Sequence, residues 1–403
     1  MAGVAVGVMP GLNWLAAQDY AFWRNVTPWF GRVVLRLHEP VLFTYSGSGD
    51  KLFDWVQMAG VLSLALVLAA IWMWFDRRRR WDPLARDLMR IVLRYGLGTV
   101  MLSYGMSKLL HQQMPAPHLF RLVEPYGESS PMGLLWTFMG QSAAYSAFAG
   151  GLEFLGGFLL FFRRTVILGA LILVVVLTNV LLMNLCFDVP VKLYSALYLF
   201  MALVLVAPEA GRLWSLLVLR RAVAPSLASE VRRAWPAGRA GRLLTVVKAL
   251  VVLQILWVVP AQAYFRWRDH SPAKPELYGL YEVETFTQNG ETHPPLLTDR
   301  ARWRRVMIDE GNFFVVQFMD DHRRFFRIRN TSQPGKLVVE PNSGPKRGES
   351  ISFTIAHPAE RELLLEGRLD EAALAVRLRR ADDAKLLLQN RGFHWINEQP
   401  FNR

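Results

Sequence analysis

Residues 144–186 read AYSAFAGGLEFLGGFLLFFRRTVILGALILVVVLTNVLLMNLC. Two apolar runs, Ala144–Phe162 and Val166–Cys186, are parted only by Arg163-Arg164-Thr165. Each is close to the roughly 20 residues a helix needs to cross a bilayer core. Working outward, Phe53–Phe75, Leu88–Leu110, Val191–Ala207 and Leu243–Tyr264 repeat the pattern, although Val191–Ala207 is short. Six membrane spans are therefore expected. The composition agrees: 52% of the 403 residues are hydrophobic and only 20% charged, against about 25% charged in soluble domains. That excludes a soluble enzyme.

The chain carries 46 Lys+Arg and 33 Asp+Glu, a net charge of +13. Residues 1–269 hold +12 of it and residues 270–403 only +1, so the excess punctuates apolar runs. A nucleic-acid binder would instead need its charge on one folded soluble face, so no nucleic-acid partner is expected. Connections Asp76–Arg90, Arg163–Arg164 and Pro208–Arg242 contain 15 arginines, and the alternate segments contain six basic residues. The positive-inside bias puts the arginine-rich loops in the cytoplasm and both termini outside. The expected setting is a bacterial inner (plasma) membrane. Trp72, Trp74, Trp81, Tyr264 and Trp267 sit where aromatic belts lie.

The first segment, 1–52, reads as external and interfacial, with Trp23, Trp29 and Phe30 beside Arg24 and Arg32. It lacks the cationic start of a signal peptide, which leaves room for a further span upstream. Asn25-Val26-Thr27 is formally a glycosylation sequon, weakened by Pro28. The remaining divisions are a first span 53–75, a four-helix region 88–207, a basic cytoplasmic loop 208–242, a last span 243–265 and a β domain 276–403. His111–Pro131, with four prolines, reads as an ordered external lid or re-entrant stretch. Pro131–Gln141 is apolar but too short to span, and should rest on the bundle.

After Pro272 and Pro275 the pattern changes to period two. Tyr281–Thr285 alternates, and Asn289-Gly290 supplies a hairpin turn. Further runs follow at Arg304–Ile308, Phe313–Met319, Arg324–Arg329, Leu337–Glu340, Ile351–Ala356, Glu362–Leu369 and Ala373–Arg379. Leu386–Gln389 and Phe393–Ile396 read as closing strands. About eight to ten short strands at this spacing predict an all-β meander, as a sandwich or small barrel. His293, His322, His357 and His394 show no metal-ligand spacing and read as surface or packing residues. Arg323, Arg324, Arg327 and Arg329 read as a solvated face or an anion patch. The domain reads as a binding or docking module. Cys186, the one cysteine, excludes an intrachain disulfide or a cysteine zinc site.

Polar groups inside spans are costly and mark function or specific packing. Glu153 lies midway along its run, with Gly150 and Gly157 on its own face, where a second helix can approach. It either fixes helix packing by hydrogen bonds or handles a proton or ligand. On the preceding span Arg94, Leu97, Met101, Tyr104 and Lys108 form one stripe. Lys108 either pairs inward or snorkels to the external interface, and Arg94 either anchors at the cytoplasmic side or lines the site. Asn179 and Cys186, seven apart, share a face that excludes Asn184. Asn179 serves a ligand or a helix–helix hydrogen bond. Neither a nucleotide-binding motif nor a metal-ligand spacing occurs.

Tyr95-Gly96, Tyr104-Gly105-Met106-Ser107-Lys108-Leu109, Gly151-Leu152-Glu153 with Gly156-Gly157, Phe161–Arg164 and the small-apolar span ending at Asn184 together resemble the DoxX family of four-helix membrane proteins. Residues 125–136, Pro-Tyr-Gly-Glu-Ser-Ser-Pro-Met-Gly-Leu-Leu-Trp, look like the external loop of its larger members. The resemblance covers about 120 residues, 88–207, and leaves out the first span and the β domain. It implies a subunit that binds a quinone or other lipidic molecule and serves an oxidoreductase or a redox or sulfur accessory system. It also implies a membrane or extracytoplasmic redox partner protein. The chain itself has no dithiol. In that reading Glu153 and Lys108 carry the chemistry, and Tyr104, Asn179, Cys186 and Arg94 line the cofactor. The alternative expectation is a non-enzymatic membrane anchor whose β domain docks an extracytoplasmic partner.

Overall fold

The computed structural model describes residues 13–77, 82–223, 238–270, 274–329, 335–342, 349–382 and 386–401. In chain order the helices are α1 (Asn13–Val33), α2 (Leu52–Phe75), α3 (Asp82–Leu109), α4 (Leu119–Leu122), α5 (Pro131–Gln141), α6 (Ala143–Leu159), α7 (Val166–Cys186), α8 (Lys192–Val206), α9 (Ala210–Leu217) and α10 (Gly238–His270). The strands are β1 (Gly279–Gln288), β2 (Glu291–Thr292), β3 (Trp303–Asp309), β4 (Phe313–Phe318), β5 (Arg323–Arg329), β6 (Lys336–Pro341), β7 (Ile351–Ala356), β8 (Glu362–Leu369) and β9 (Ala372–Arg380), followed by α11 (Leu387–Asn390). Two compact units result: Met1–Pro115 with Pro131–Asp269, and Ala116–Ser130 with His270–Arg403.

The first unit is helical. Among the described residues, four helices are long and apolar enough to cross a membrane: Leu52–Phe75, Val166–Cys186, Lys192–Leu217 and Thr245–Asp269. The third is longer than its apolar run, because Pro208 falls in a 3-10 turn, Ala207–Glu209, that links α8 to α9. A proline there loses no helical hydrogen bond. Two expected spans fall short of the same standard. α3 is long enough at 28 residues but carries Asp82, Arg86, Asp87, Arg90, Arg94 and Lys108. α6 has only 17 residues, about 26 Å at 1.5 Å per residue.

Glycines set how closely α6 approaches its neighbours. A β-carbon at Gly150 would lie 2.7 Å from the Gly105 carbonyl oxygen, and one at Gly157 would lie 3.0 Å from that of Gly98. These two matched pairs, each seven residues apart, run α3 and α6 antiparallel at near backbone contact. On its other side Gly156 meets Leu173 and Gly169 of α7. Leu97, Met101, Leu160, Ala170, Leu173, Ala202 and Leu205 fill the core of this bundle. α10 adds Ile255 and Val259 against Leu102 and Phe161. As the sequence suggests, α5 rests on the bundle, where Leu135 and Met139 pack with Met114 and Val189.

The second unit is a β-barrel. Strands pair antiparallel in the order β1-β3-β4-β5-β6-β7-β8-β9, and β9 returns to β1 from Tyr281↔Arg380 to Gln288↔Leu374. That last ladder closes eight strands into a barrel and removes the sandwich alternative. The two-residue β2 extends the Asn289-Gly290 hairpin, whose positive φ angles of 52° and 89° suit the turn. Phe286, Trp303, Phe314, Phe326 and Phe353 fill the interior. The final expectation fails: 387–390 is a short helix and 393–396 is not a strand, because the β1–β9 ladder has already closed the sheet.

Part of the outer wall is also apolar. Leu280, Met307 and Val315 point away from the interior, yet are buried under Leu119, Phe120, Leu122 and Val123 of the 116–130 segment. The proline-rich loop is thus an arm of the barrel unit. Asp309 accepts the Leu119 N–H at 2.6 Å and lies 3.4 Å from His118 Nδ1. Arg323 binds the Phe120 carbonyl and the Glu124 carboxylate, at 3.1 and 2.8 Å.

Candidate functional site

Lys108 and Glu153 meet inside the helical unit, with Nζ 2.5 Å from Oε1 and side chains 6% and 4% exposed. Their meeting follows from the helix contact. Lys108 Cβ faces Gly150, where no side chain intervenes. Side chains on a helix lean toward its N-terminus, so Lys108 reaches back along α3 toward Glu153. It turns into the bundle rather than snorkelling outward. The second carboxylate oxygen, Oε2, is buried without a hydrogen-bond partner. Ser146, two turns away on the same face of α6, is likewise fully buried with an unpartnered hydroxyl.

Of the other candidates, Tyr104 is one turn from Lys108 and within electrostatic reach of Glu153. It is 40% exposed, and its ring lies 6.4 Å from that of Tyr198. Arg94 is buried but remote, fourteen residues or about 21 Å back along α3. Its Nε and Nη2 donate to the Leu160 carbonyl at 3.0 and 2.9 Å and satisfy the C-terminal end of α6. Asn179 and Cys186 are exposed and take no part in this site. The buried amide of α7 is Asn184, at 5% exposure with Nδ2 unpartnered. The buried face of α7 runs through Val166, Gly169, Ala170, Leu173, Leu177 and Asn184; Asn179 and Cys186 sit two residues off it, about 200° around the helix.

Only three of the six expected residues therefore come together. Tyr104, Lys108 and Glu153 do not by themselves enclose a quinone, since the expected wall from Asn179 and Cys186 faces outward. Among the described residues no cluster of three His, Cys, Asp or Glu side chains could hold a metal ion.

One polar device was missed in the sequence. Gly47-Ser48-Gly49-Asp50 caps α8: Asp50 accepts the Lys192 and Leu193 N–H groups at 2.8 and 2.9 Å. A carboxylate suits a helix N-terminus, but 142 residues separate the partners and no local spacing signals the cap. In the barrel, the four arginines form no anion patch; Arg327 and Arg329 are exposed on one face of β5, the solvated face the alternation predicts, and Arg324 lies on the other. Arg323 binds Glu124, Arg324 binds Asp370 and Arg329 binds Glu340, while Arg327 lies over the Phe313 ring.

No family model matches the chain, and no solved structure matches it. Over 105 residues, 25% of the chain, it is 35% identical to the uncharacterized protein YwoB of Bacillus subtilis (strain 168). The chain spans 64% of that relative's length.

Proposed function

We propose that the chain is a six-span membrane anchor that presents a β-barrel domain on the extracytoplasmic side for docking a partner, with no chemistry in the bundle. The observation that carries this reading is the closure of the Lys108–Glu153 pair between the glycine contacts of α3 and α6. A buried pair of this kind fixes which helix faces meet; its net contribution to stability is small, but breaking it by removing one partner costs about 3–5 kcal/mol.

Parity supports the topology. The arm 116–130 and the barrel belong to one compact unit, so they share one side of the membrane. Between them lie α6, α7, α8 and α10, and an even number of crossings returns the chain to that side. The short α6 is then a crossing helix, and α3, which precedes the arm, brings the chain out. The charge bias names that side as external.

A second reading keeps the DoxX-like role, in which a quinone or other lipidic ligand reaches Glu153 past Tyr104 and serves an oxidoreductase or accessory partner. The partnerless Glu153 Oε2 favours it, since buried polar atoms are nearly always satisfied. Thermal unfolding in mild detergent of Lys108→Met, Glu153→Gln and the double variant, with mass spectrometry of co-purifying small molecules, separates the two. The anchor reading expects each single change to destabilise, the double to cost less than their sum, and small-molecule content to stay constant. Loss of a lipidic molecule from Glu153→Gln at unchanged stability would overturn it.

A further inference from the structure

One end of the barrel is not filled. A cleft of about 400 Å³ opens among Gln288, the 300–301 loop and the turns that carry Asp320, His322 and Asp370, within the roughly 300–1,000 Å³ of small-molecule sites, which favour barrel mouths. Its floor is aromatic and apolar: Phe286 and Trp303 are each 1% exposed, with Phe318 and Leu374 beside them. The register between β3 and β4 shifts at this end, at Trp303/Arg305. Bulges are common at barrel rims and beside binding sites.

The rim carries two arginines and two aspartates, and one pair of them is closed. Arg324 is neutralised by Asp370, at 2.6 Å, and Asp320 accepts the His322 N–H of its own turn at 3.1 Å. Arg300 is exposed and has no carboxylate partner among the described residues. The backbone on both sides of it is held in place. His293 Nδ1 lies 2.6 Å from Asp299 Oδ2, and Asp299 Oδ1 accepts the Ala301 and Arg302 N–H groups at 2.9 and 3.1 Å. The buried Arg302 then ties the loop to the barrel, donating to the His293 and Trp303 carbonyls, both at 3.0 Å.

We propose that this mouth binds a small aromatic carboxylate, its ring on the Phe286–Trp303–Phe318 floor and its carboxylate on Arg300. Aromatic faces suit a flat ring, and a guanidinium fork suits a carboxylate. This goes beyond the anchor reading and does not depend on it. The test is fluorine NMR of para-trifluoromethylbenzoate with the full chain in phosphatidylcholine nanodiscs. The expected result is saturable line broadening absent with empty nanodiscs, weakened about tenfold in Arg300→Ala by loss of one charge-assisted contact. Ala372→Trp, which fills the mouth, should abolish it. The uncharged methyl ester, which loses the same contact, should bind about tenfold more weakly. Broadening that is unchanged in Arg300→Ala, equal for the ester or equal with empty nanodiscs would overturn the proposal. So would tighter binding of para-trifluoromethylbenzylamine, because the rim would then select cations.

Discussion

Gly150 and Gly151 are adjacent in sequence and opposite in consequence. A β-carbon at Gly150 would lie 2.5 Å from Lys108 Cβ and 2.9 Å from the Leu109 nitrogen, whereas at Gly151 the nearest atom is Leu109 Cδ2 at 4.0 Å. Gly150→Ala should therefore push α3 and α6 apart and destabilise by about 1–3 kcal/mol. Gly151→Ala should be neutral or stabilise by up to about 1 kcal/mol through helix propensity. Thermal unfolding of both variants in detergent checks this, and equal shifts would contradict the close approach. The Gly150–Glu153–Gly157 face was legible because glycines and one carboxylate stand out in an apolar run. The face of α7 was not, since a helix that is apolar all round gives no periodic signal to orient it. Nothing in that run distinguishes Asn184 from Asn179.

The arm 116–130 titrates at two of its contacts. The hydrogen bond to Asp309 raises the pKa of His118 against an opposing effect of burial. Burial alone would raise the Glu124 carboxyl, but hydrogen bonds from Arg323 and Arg121 outweigh it and hold it below the usual carboxylate range. The two signs differ. The His118 contribution is complete below the unfolded pKa of about 6.5 and is lost as pH rises through the higher folded value. The Glu124 contribution is present above its unfolded pKa and is lost as pH falls through the depressed folded value. The arm should be held most tightly at mildly acidic pH. Hydrogen exchange corrected for intrinsic rates should show weaker protection of residues 119–123 at pH 8.5 than at pH 6, and His118→Ala should abolish the difference. Unchanged protection in the parent chain would remove His118 from the latch. At this scale the strands were largely legible, from alternation and turn residues. The docking of the arm was not, because Leu119 and Asp309 are 190 residues apart and the buried outer faces of β3 and β4 read simply as apolar runs.

For the whole molecule, the proposed topology rests on two arguments that do different work. Crossing parity requires the arm and the barrel to share one side of the membrane, and the arginine placement alone names that side as external. The central claim, a bundle that presents the barrel outside the cytoplasm, is tested most directly by labelling. Cys186, exposed in α7, is first changed to Ser, and single cysteines are placed at Ala359 in the β7–β8 turn and at Ala222 after α9, both exposed. With a membrane-impermeant maleimide on intact spheroplasts, the account predicts that Ala359→Cys is labelled and Ala222→Cys only after permeabilisation. Labelling of Ala222→Cys in intact spheroplasts, with Ala359→Cys protected until they are opened, would contradict it.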